Sequence, residues 1–383
     1  MNVRKIPFGM PLIDNKEKEA VAEVLNCSQL VHGPKAIKFE EKFKNFVGGG
    51  YCVSLNSCTA GLHLSYLYLG LKKGDEVIIP AQSHVATAHA VEYTGAKPVF
   101  VDVEKNTGNI DINQIQDKVS NRTKAIGLVH FAGLPVDMES LMQVAKKNKL
   151  FVVEDAALAL GAKYKQTHVG LLGDVGSFSF YPVKHITTAE GGMLVTKRKE
   201  LSHIVRKLKA FGYDKMVGER KTPGLYDVDL LGYNFRMNEI QATIGIEQIK
   251  KLKGFLKKRK KNTNILRKRL EELSELRCLE DGNEIKEHAN YCLVTVLNKK
   301  LSKKRFEIIN ELKKAGVGTS IYYPGPIPNF KYYKEKYNLK KNDYPNALDI
   351  SNSSIAFPVG PHLSTEDIIY ISEKMKKCII KFK

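Results

Sequence analysis

The first half of the chain alternates between short apolar runs and amphipathic segments. Runs rich in Val, Ile and Phe predict strands, and apolar residues three and four positions apart predict helices. Strands are predicted at residues 51–55, 75–80, 98–103, 124–130, 150–155, 175–181 and 193–196. Helices are predicted at residues 35–47, 56 to about 70, 85–93, 112–119, 138–147 and 198–211. This alternation is typical of a mostly parallel sheet covered by helices on both faces, and therefore of an α/β fold.

The second half begins with a loop and a long helix. Residues 212–231 have no clear period, and residues 232–239 lead into a helix marked by apolar residues at helical spacing between 249 and 273. A smaller α/β unit follows, with strands predicted at 291–297 and 317–322 and helices at 305–315 and 366–380. We therefore predict a large domain over residues 1–250, whose N-terminal segment can pack on the small domain, and a small C-terminal domain over 251–383.

Composition and charge narrow the class of protein. With 383 residues, of which 43% are hydrophobic, the chain can bury two cores, and its net charge of +20 is strongly basic. The densest basic run, 257–261, falls in the long helix, where we predict a solvated face; a nucleic-acid patch is the alternative. The N-terminus has no signal-peptide pattern and no run could span a bilayer, so a cytoplasmic protein without a membrane partner is expected. Six cysteines without C-x-x-C spacing favour free thiols, and no metal site is predicted.

Lys184 is the main candidate for chemistry. It follows the apolar strand at 175–181 and a turn at Pro182, and aromatic residues precede it. A lysine held and shielded in this way can lose its proton near neutral pH and form a Schiff base with an aldehyde. A solvated surface lysine is the alternative for this residue alone.

Two further features give Lys184 its context. The residues Ser57, Cys58 and Thr59 open a predicted helix, whose free backbone amides can bind a phosphate dianion; an ordinary helix cap is the alternative. Asp155 ends an apolar strand, where its carboxylate can keep a pyridine nitrogen protonated or simply cap the next segment. A phosphate site, a carboxylate and an amine are together what pyridoxal phosphate requires.

Several motifs resemble those of one enzyme family. These are EDAA at 154–157, GAKY at 161–164, GDVG at 173–176, FSF at 178–180, Lys184 with TTAEGG at 187–192, and GYNFR at 232–236. They resemble the nucleotide-sugar aminotransferases, which are aspartate-aminotransferase-like, fold type I pyridoxal phosphate enzymes. The similarity runs from residues 6–8 to residues 323–324. It implies a large domain with a mostly parallel, seven-stranded-type sheet and a smaller C-terminal α/β domain.

The resemblance also implies roles for individual residues. Lys184 would bind the cofactor covalently and Asp155 would pair with its ring nitrogen. The remaining cofactor contacts would come from Ser57, Cys58, Thr59 and Ser179 at the phosphate, from His84 stacked on the ring, and from Asn234 of a neighbouring subunit. A homodimer with shared active sites is therefore implied, and Arg236 and Tyr322 are candidates for substrate contacts. The chain departs from the family at Leu158, where the family commonly has Gln or His contacting the cofactor's ring hydroxyl. It also departs at Cys292, Tyr322 and Pro328, where the family commonly has His.

The implied reaction moves an amino group from L-glutamate to the 3- or 4-keto group of a nucleotide-linked deoxysugar, as in cell-surface polysaccharide biosynthesis. Three alternatives remain at this point. They are transamination of a small phosphorylated ketone, a sugar dehydratase, whose relatives replace the lysine with histidine, and a nucleic-acid-binding protein with the same fold. Lys184 favours transamination over dehydration, and residues 1–35 are too few for an added DNA-binding module.

Overall fold

The computed structural model describes residues 4–215, 220–222 and 224–383. The helices are Asn15–Leu25 (α1), Pro34–Val47 (α2), Cys58–Tyr68 (α3), Val85–Glu92 (α4), Met138–Lys147 (α5), Lys199–Leu208 (α6), Glu239–Leu270 (α7), Lys299–Ser302 (α8), Arg305–Lys314 (α9), Lys331–Tyr337 (α10), Pro345–Ser353 (α11) and Thr365–Phe382 (α12). The strands are Tyr51–Leu55 (β1), Glu76–Pro80 (β2), Lys97–Val101 (β3), Thr123–Val129 (β4), Phe151–Asp155 (β5), Lys163–Tyr164 (β6), Thr167–His168 (β7), Val175–Ser179 (β8), Gly192–Thr196 (β9), Leu276–Cys278 (β10), Lys286–Glu287 (β11), Leu293–Leu297 (β12) and Ser354–Phe357 (β13).

A large mixed sheet organises the first half of the chain. Its strand order is β1-β9-β8-β5-β4-β2-β3 among the described residues. Strand β9 runs antiparallel to β1 and β8, and the other neighbours pair in parallel. The carboxyl ends of β1, β5 and β8 therefore meet at one edge of the sheet, where ligands bind in open α/β sheets. The predicted large, mostly parallel sheet is confirmed.

Helices cover both faces of this sheet because its strands bury side chains on alternating sides. In β2, Val77 and Ile79 belong to the buried cluster that includes residues of α3, α4 and α6, whereas Ile78 belongs to the cluster that includes residues of α5. Helix α2 covers the β8–β9 side, where Phe39 and Phe43 contact Phe178 and Phe180 edge to face. Burial on both faces explains why the strands read as continuous apolar runs.

The smaller C-terminal unit is built on the antiparallel sheet β10-β12-β13, with α9, α12 and the end of α7 packed on it. The N-terminal segment joins this unit, since the Ile6 amide donates to the Gly316 carbonyl (2.8 Å) and the Ile6 carbonyl accepts from Gly318 (2.7 Å). Helix α7 crosses position 250 without a break. The division at 250/251 stays a prediction.

Two predicted elements are wrong. Residues 112–119 form two short 3-10 turns, Ile112–Gln114 and Gln116–Lys118, whose amides bond to carbonyls three residues back. Apolar residues three apart share one face in a 3-10 turn as well as in an α-helix, so their spacing did not distinguish the two. Residues 317–322 form isolated bridges at Val317 and Ser320 and not a strand, since the chain then leaves the small sheet to line a cavity. The loop predicted at 212–231 lies partly outside the described residues. None of the described helices has the length and apolar character needed to cross a membrane.

Candidate active site

A cavity of about 510 Å³ lies at the carboxyl edge of the large sheet. Its lining includes the Lys184 amine, the Asp155 carboxylate, the Ser179 hydroxyl and the first residues of α3. These groups come from the ends of β1, β5 and β8, which the parallel pairing brings to one edge. The structure therefore gathers on one cavity the three chemical features that the sequence predicts separately.

The predicted phosphate site is the N-terminus of α3. Ser57 is the N-cap, and its hydroxyl accepts a hydrogen bond from the Ala60 amide (3.1 Å). The amides of Cys58 and Thr59 precede the first intrahelical bond and have no partner within the helix. Gly192 of β9 lies directly beneath, where a β-carbon would stand 2.3 Å from the Ser57 carbonyl carbon. A glycine at position 192 is thus what lets the helix start approach the strand.

Asp155 is buried and firmly oriented. One carboxylate oxygen accepts from the Thr87 hydroxyl (2.8 Å), and the other accepts from the Ala157 amide (3.1 Å). The Thr87 hydroxyl is in turn hydrogen-bonded to Ser83 (2.7 Å). Sequence reasoning missed Thr87, because a single threonine in a predicted helix carries no signal of contact with a strand end 68 residues later.

Lys184 lies on the turn after β8, where its amide donates to the Tyr181 carbonyl (2.9 Å). Its ammonium group lies 5.1 Å from the centre of the Tyr291 ring. Burial lowers the pKa of Lys184 below its usual value, against the opposing effects of Cys58 and Asp155. The neutral, nucleophilic amine is therefore more populated than it is for a surface lysine.

Aromatic residues form the wall behind the lysine. The hydroxyls of Tyr291 and Tyr322 are hydrogen-bonded (2.8 Å), and Phe8 stacks on Tyr322 at 5.9 Å between ring centres. Arg259 supports this wall from α7 and donates to the carbonyls of Tyr291 (2.9 Å) and Asn290 (3.3 Å). The prediction that the whole basic run faces solvent is therefore wrong for Arg259, which is 5% exposed. Lys257, two residues earlier, is exposed as predicted.

Of three other predicted residues, His84 lines the cavity and two lie outside it. His84 is exposed and caps α4, with its Nδ1 accepting from the Ala86 amide (3.2 Å) and its ring 6.0 Å from that of Tyr323. Asn234 and Arg236 do not line this cavity. Asn234 bridges to Ala210, and Arg236 contacts the His32 ring nitrogen (3.1 Å) and the Phe211 ring.

The departures from the family pattern separate into two groups. Leu158 and Tyr322 line the cavity, so an apolar and a phenolic side chain stand where the family commonly has Gln or His. Cys292 and Pro328 are buried outside the lining. Only the first pair is therefore placed to contact a ligand directly.

A model of the DegT/DnrJ/EryC1/StrS aminotransferase family matches residues 11–376. The chain belongs to this family. GDP-perosamine synthase of Escherichia coli O157:H7 is 35% identical over 382 residues, which cover 98% of this chain and 99% of that protein. The members of the DegT/DnrJ/EryC1/StrS family are pyridoxal phosphate enzymes, so the predicted family, enzyme class and cofactor are confirmed.

Solved structures agree with this assignment. A putative sugar aminotransferase of Streptococcus pneumoniae in its PMP form superimposes with a TM-score of 0.94 at 29% identity, covering 99% of this chain and 100% of that chain. An aminotransferase of Helicobacter pylori involved in the biosynthesis of pseudoaminic acid gives a TM-score of 0.93 at 29% identity, covering 99% of this chain and 100% of that chain. The predicted fold type I architecture is confirmed.

The residues present suit pyridoxal phosphate. The cavity offers an amine of lowered pKa, a fixed carboxylate, and a helix N-terminus beside the hydroxyls of Thr59 and Ser179. Each matches one functional group of the cofactor, namely its aldehyde, its ring nitrogen and its phosphate.

Proposed function

We propose that this protein transfers an amino group from L-glutamate to the keto group of a nucleotide-linked deoxysugar. The observation that carries the proposal is the convergence of Lys184, Asp155 and the α3 N-terminus on one cavity. The names of the relatives support a sugar acceptor, since they include a GDP-perosamine synthase and sugar aminotransferases.

Each side chain has a distinct task in this proposal. Pyridoxal phosphate, when bound, supplies the electron sink for cleavage of the bond to the donor's α-hydrogen. The Lys184 amine takes the α-proton of the donor, because burial favours its neutral form. Asp155, fixed by Thr87 and Ala157, would hold the cofactor's ring nitrogen. The α3 amides, with Ser57, Cys58, Thr59 and Ser179, would hold its phosphate.

Tyr322 supports a sugar as the acceptor. Its side chain lines the cavity, where the hydroxyl can hydrogen-bond a sugar hydroxyl. The relatives favour this acceptor over a small phosphorylated ketone, since two of them are named for GDP- and UDP-linked amino sugars. A dehydratase reading is disfavoured because the lysine that such enzymes replace with histidine is present at 184.

The active site is proposed to be shared between two subunits. Asn234 and Arg236 lie outside the cavity of their own chain, which supports their reaching the cavity of a neighbouring subunit. There Arg236 would lie beside the substrate, whereas His84 would stack on the cofactor in the cavity of its own chain. Nearby residues of the same segment expose large apolar side chains, with Leu225 at 69% and Leu231 at 88% exposure. A second subunit would cover this surface.

Hybrid dimers test the shared site. Lys184→Ala and Asn234→Ala proteins, each inactive alone, are mixed under conditions that exchange subunits. If Asn234 acts across the interface, one site of each hybrid regains both residues, and about a quarter of the wild-type activity returns. No recovery despite verified exchange would place Asn234 in its own subunit's site and refute the sharing.

The activity itself is tested in two steps. The purified protein with pyridoxal phosphate should develop a visible absorption band that Lys184→Ala lacks. Incubation with L-glutamate and a panel of keto substrates, followed by mass analysis, should find oxygen replaced by nitrogen in a nucleotide-linked 3- or 4-keto deoxysugar. Lys147→Ala is a control for loss of one exposed lysine outside the cavity. Amination of only small phosphorylated ketones would overturn the sugar assignment.

A further inference from the structure

A second and larger depression lies between α2, α7 and the small β6–β11 strand pair. It measures about 910 Å³ and shares no lining residue with the active-site cavity. We call it the lysine groove, because six lysines line it. They are Lys42, Lys163, Lys250, Lys253, Lys257 and Lys260.

The lysines are ordered by the helix that carries most of them. Those at 250, 253, 257 and 260 follow each other at spacings of three and four residues, which places them along one face of α7 over about 15 Å. Lys42 of α2 and Lys163 of β6 stand on the facing walls. The groove therefore directs positive charge inward from three elements.

This charge is not neutralised by carboxylates. Glu287 is the acid in the lining and lies 3.6 Å from Lys163, while Lys250 pairs with Glu247 outside the groove. Among the described residues, Lys42, Lys253, Lys257 and Lys260 have no carboxylate within 4.0 Å. Two lysines elsewhere differ from these, since Lys314 of α9 and Lys381 of α12 both pair with Glu311.

The floor of the groove is apolar. Phe46, Ile249, Leu256 and Ala289 line it between the lysines. The ring of Phe46 is partly exposed and contacts His168 edge to face at 5.7 Å. A flat ring can therefore pack on the floor while a charged group reaches the surrounding amines.

We propose that the lysine groove is a second anion-binding site, which takes the oligophosphate group of a soluble nucleoside di- or triphosphate. Unpaired lysines that repel one another are stabilised by a multiply charged anion, and lysine binds phosphate as a point charge. The volume matches a small-molecule site. It is too small for a nucleic-acid duplex, which needs a far larger contact surface.

The groove and the active site are adjacent but separate. Ala289 and Asn290 line the groove, and the next residue, Tyr291, lines the cavity. In the same way Gly161 lines the groove and Leu158 the cavity. The proposed site can thus be occupied while the catalytic cavity is full, and its ligand is not the substrate of the proposed transamination.

The test is a calorimetric titration of the pyridoxal phosphate-loaded full chain at low salt, with inorganic tripolyphosphate and with ATP. The groove variant is Lys253→Glu with Lys257→Glu. The matched control is Lys376→Glu with Lys377→Glu, two exposed lysines of α12, so both proteins lose the same net charge. Affinity should fall at least about ten-fold in the groove variant and stay within about two-fold of wild type in the control.

A milder pair, Lys253→Gln with Lys257→Gln, keeps the test decisive if charge reversal disturbs folding, and a smaller but clear loss of affinity is expected there. Equal weakening in groove variant and control would overturn the proposal, because general attraction by net charge would explain it. Absence of tripolyphosphate binding to the wild-type protein would overturn it too, as would binding only to phosphatidylglycerol vesicles.

Discussion

Gly192 offers a direct way to perturb the proposed phosphate site. It pairs with Leu55 of β1 on one side and Ser179 of β8 on the other, beneath the N-cap Ser57. A β-carbon at this position would lie 2.3 Å from the Ser57 carbonyl carbon, 2.4 Å from its oxygen and 2.6 Å from the Cys58 nitrogen. These are backbone atoms, so no side chain can swing aside to relieve the clash.

The size of the effect follows from these distances. Ordinary van der Waals contact begins at 3.4 Å, so the start of α3 must retreat from β9 by about 1 Å. The α3 amides would donate to the phosphate of the cofactor, and hydrogen bonds depend steeply on distance and angle. A shift of this size would therefore misalign them. We expect Gly192→Ala to weaken pyridoxal phosphate binding about 10- to 100-fold and to lower the free energy of unfolding by about 1–3 kcal/mol.

The assay compares two ligands in parallel titrations of cofactor-free protein, followed by absorbance. Pyridoxal phosphate tests the whole site, whereas pyridoxal lacks the phosphate and reports only on the part of the site formed by Lys184 and Asp155. The variant should lose far more affinity for pyridoxal phosphate than for pyridoxal. Gly254→Ala is the control, because a β-carbon there meets no neighbour within 4 Å, and alanine favours the α7 helix by about 1 kcal/mol.

Two results would refute this reasoning. One is unchanged affinity of Gly192→Ala for pyridoxal phosphate, since the helix start would then not hold the phosphate. The other is an equal loss for both ligands, which would indicate general damage to the cavity.

Three further predictions concern other parts of the site. Burial lowers the pKa of Lys184 below its usual 10.5, so the rate at which the protein captures pyridoxal phosphate, measured by stopped flow, should stop rising with pH before pH 10.5. A rate that still rises through pH 10.5 would contradict the burial argument. Glu154→Gln should lower the free energy of unfolding by about 3 kcal/mol in denaturant titrations, because the buried carboxylate accepts from the Gly170, Leu172 and Gly173 amides. The control Glu287→Gln, at an exposed residue, should lower it by less than about 1 kcal/mol. Tyr322→Phe, which removes the hydroxyl bonded to Tyr291, should raise the KM for the keto substrate and leave the cofactor's absorption band unchanged; a lost band would place Tyr322 at the cofactor.

The sequence predicted the large sheet well because its strands are buried on both faces. Strand β1 begins and ends where the apolar run at 51–55 predicts, and β5 and β8 deviate by one or two residues. Candidate residues at the ends of such runs lie close together in the fold, because the carboxyl ends of parallel strands lie at the same edge of the sheet. Asp155, Ser179 and the α3 start converge for this reason.

What the sequence could not predict depends on packing between distant segments. The hydrogen bond from Thr87 to Asp155 forms only because α4 packs beside the strand end. Strands β6, β7 and β11 have two residues each, which is too short for any periodic signal. The Arg259 contacts with Asn290 and Tyr291 span 31 and 32 residues and cross from a helix to a segment without regular structure.

The basic run of α7 explains why net charge alone predicts no partner. Position 259 is turned by about 200° from position 257 around the helix, so neighbouring cations enter different environments. Arg259 is buried against the carbonyls of Asn290 and Tyr291 and supports the wall behind Lys184, whereas Lys257 and Lys260 face the lysine groove. On one side of the helix, the charge of Arg259 is therefore satisfied by backbone carbonyls, whereas the lysines on the other side have no carboxylate partner. Only these lysines can attract an anion, which is why the proposed site lies on their side.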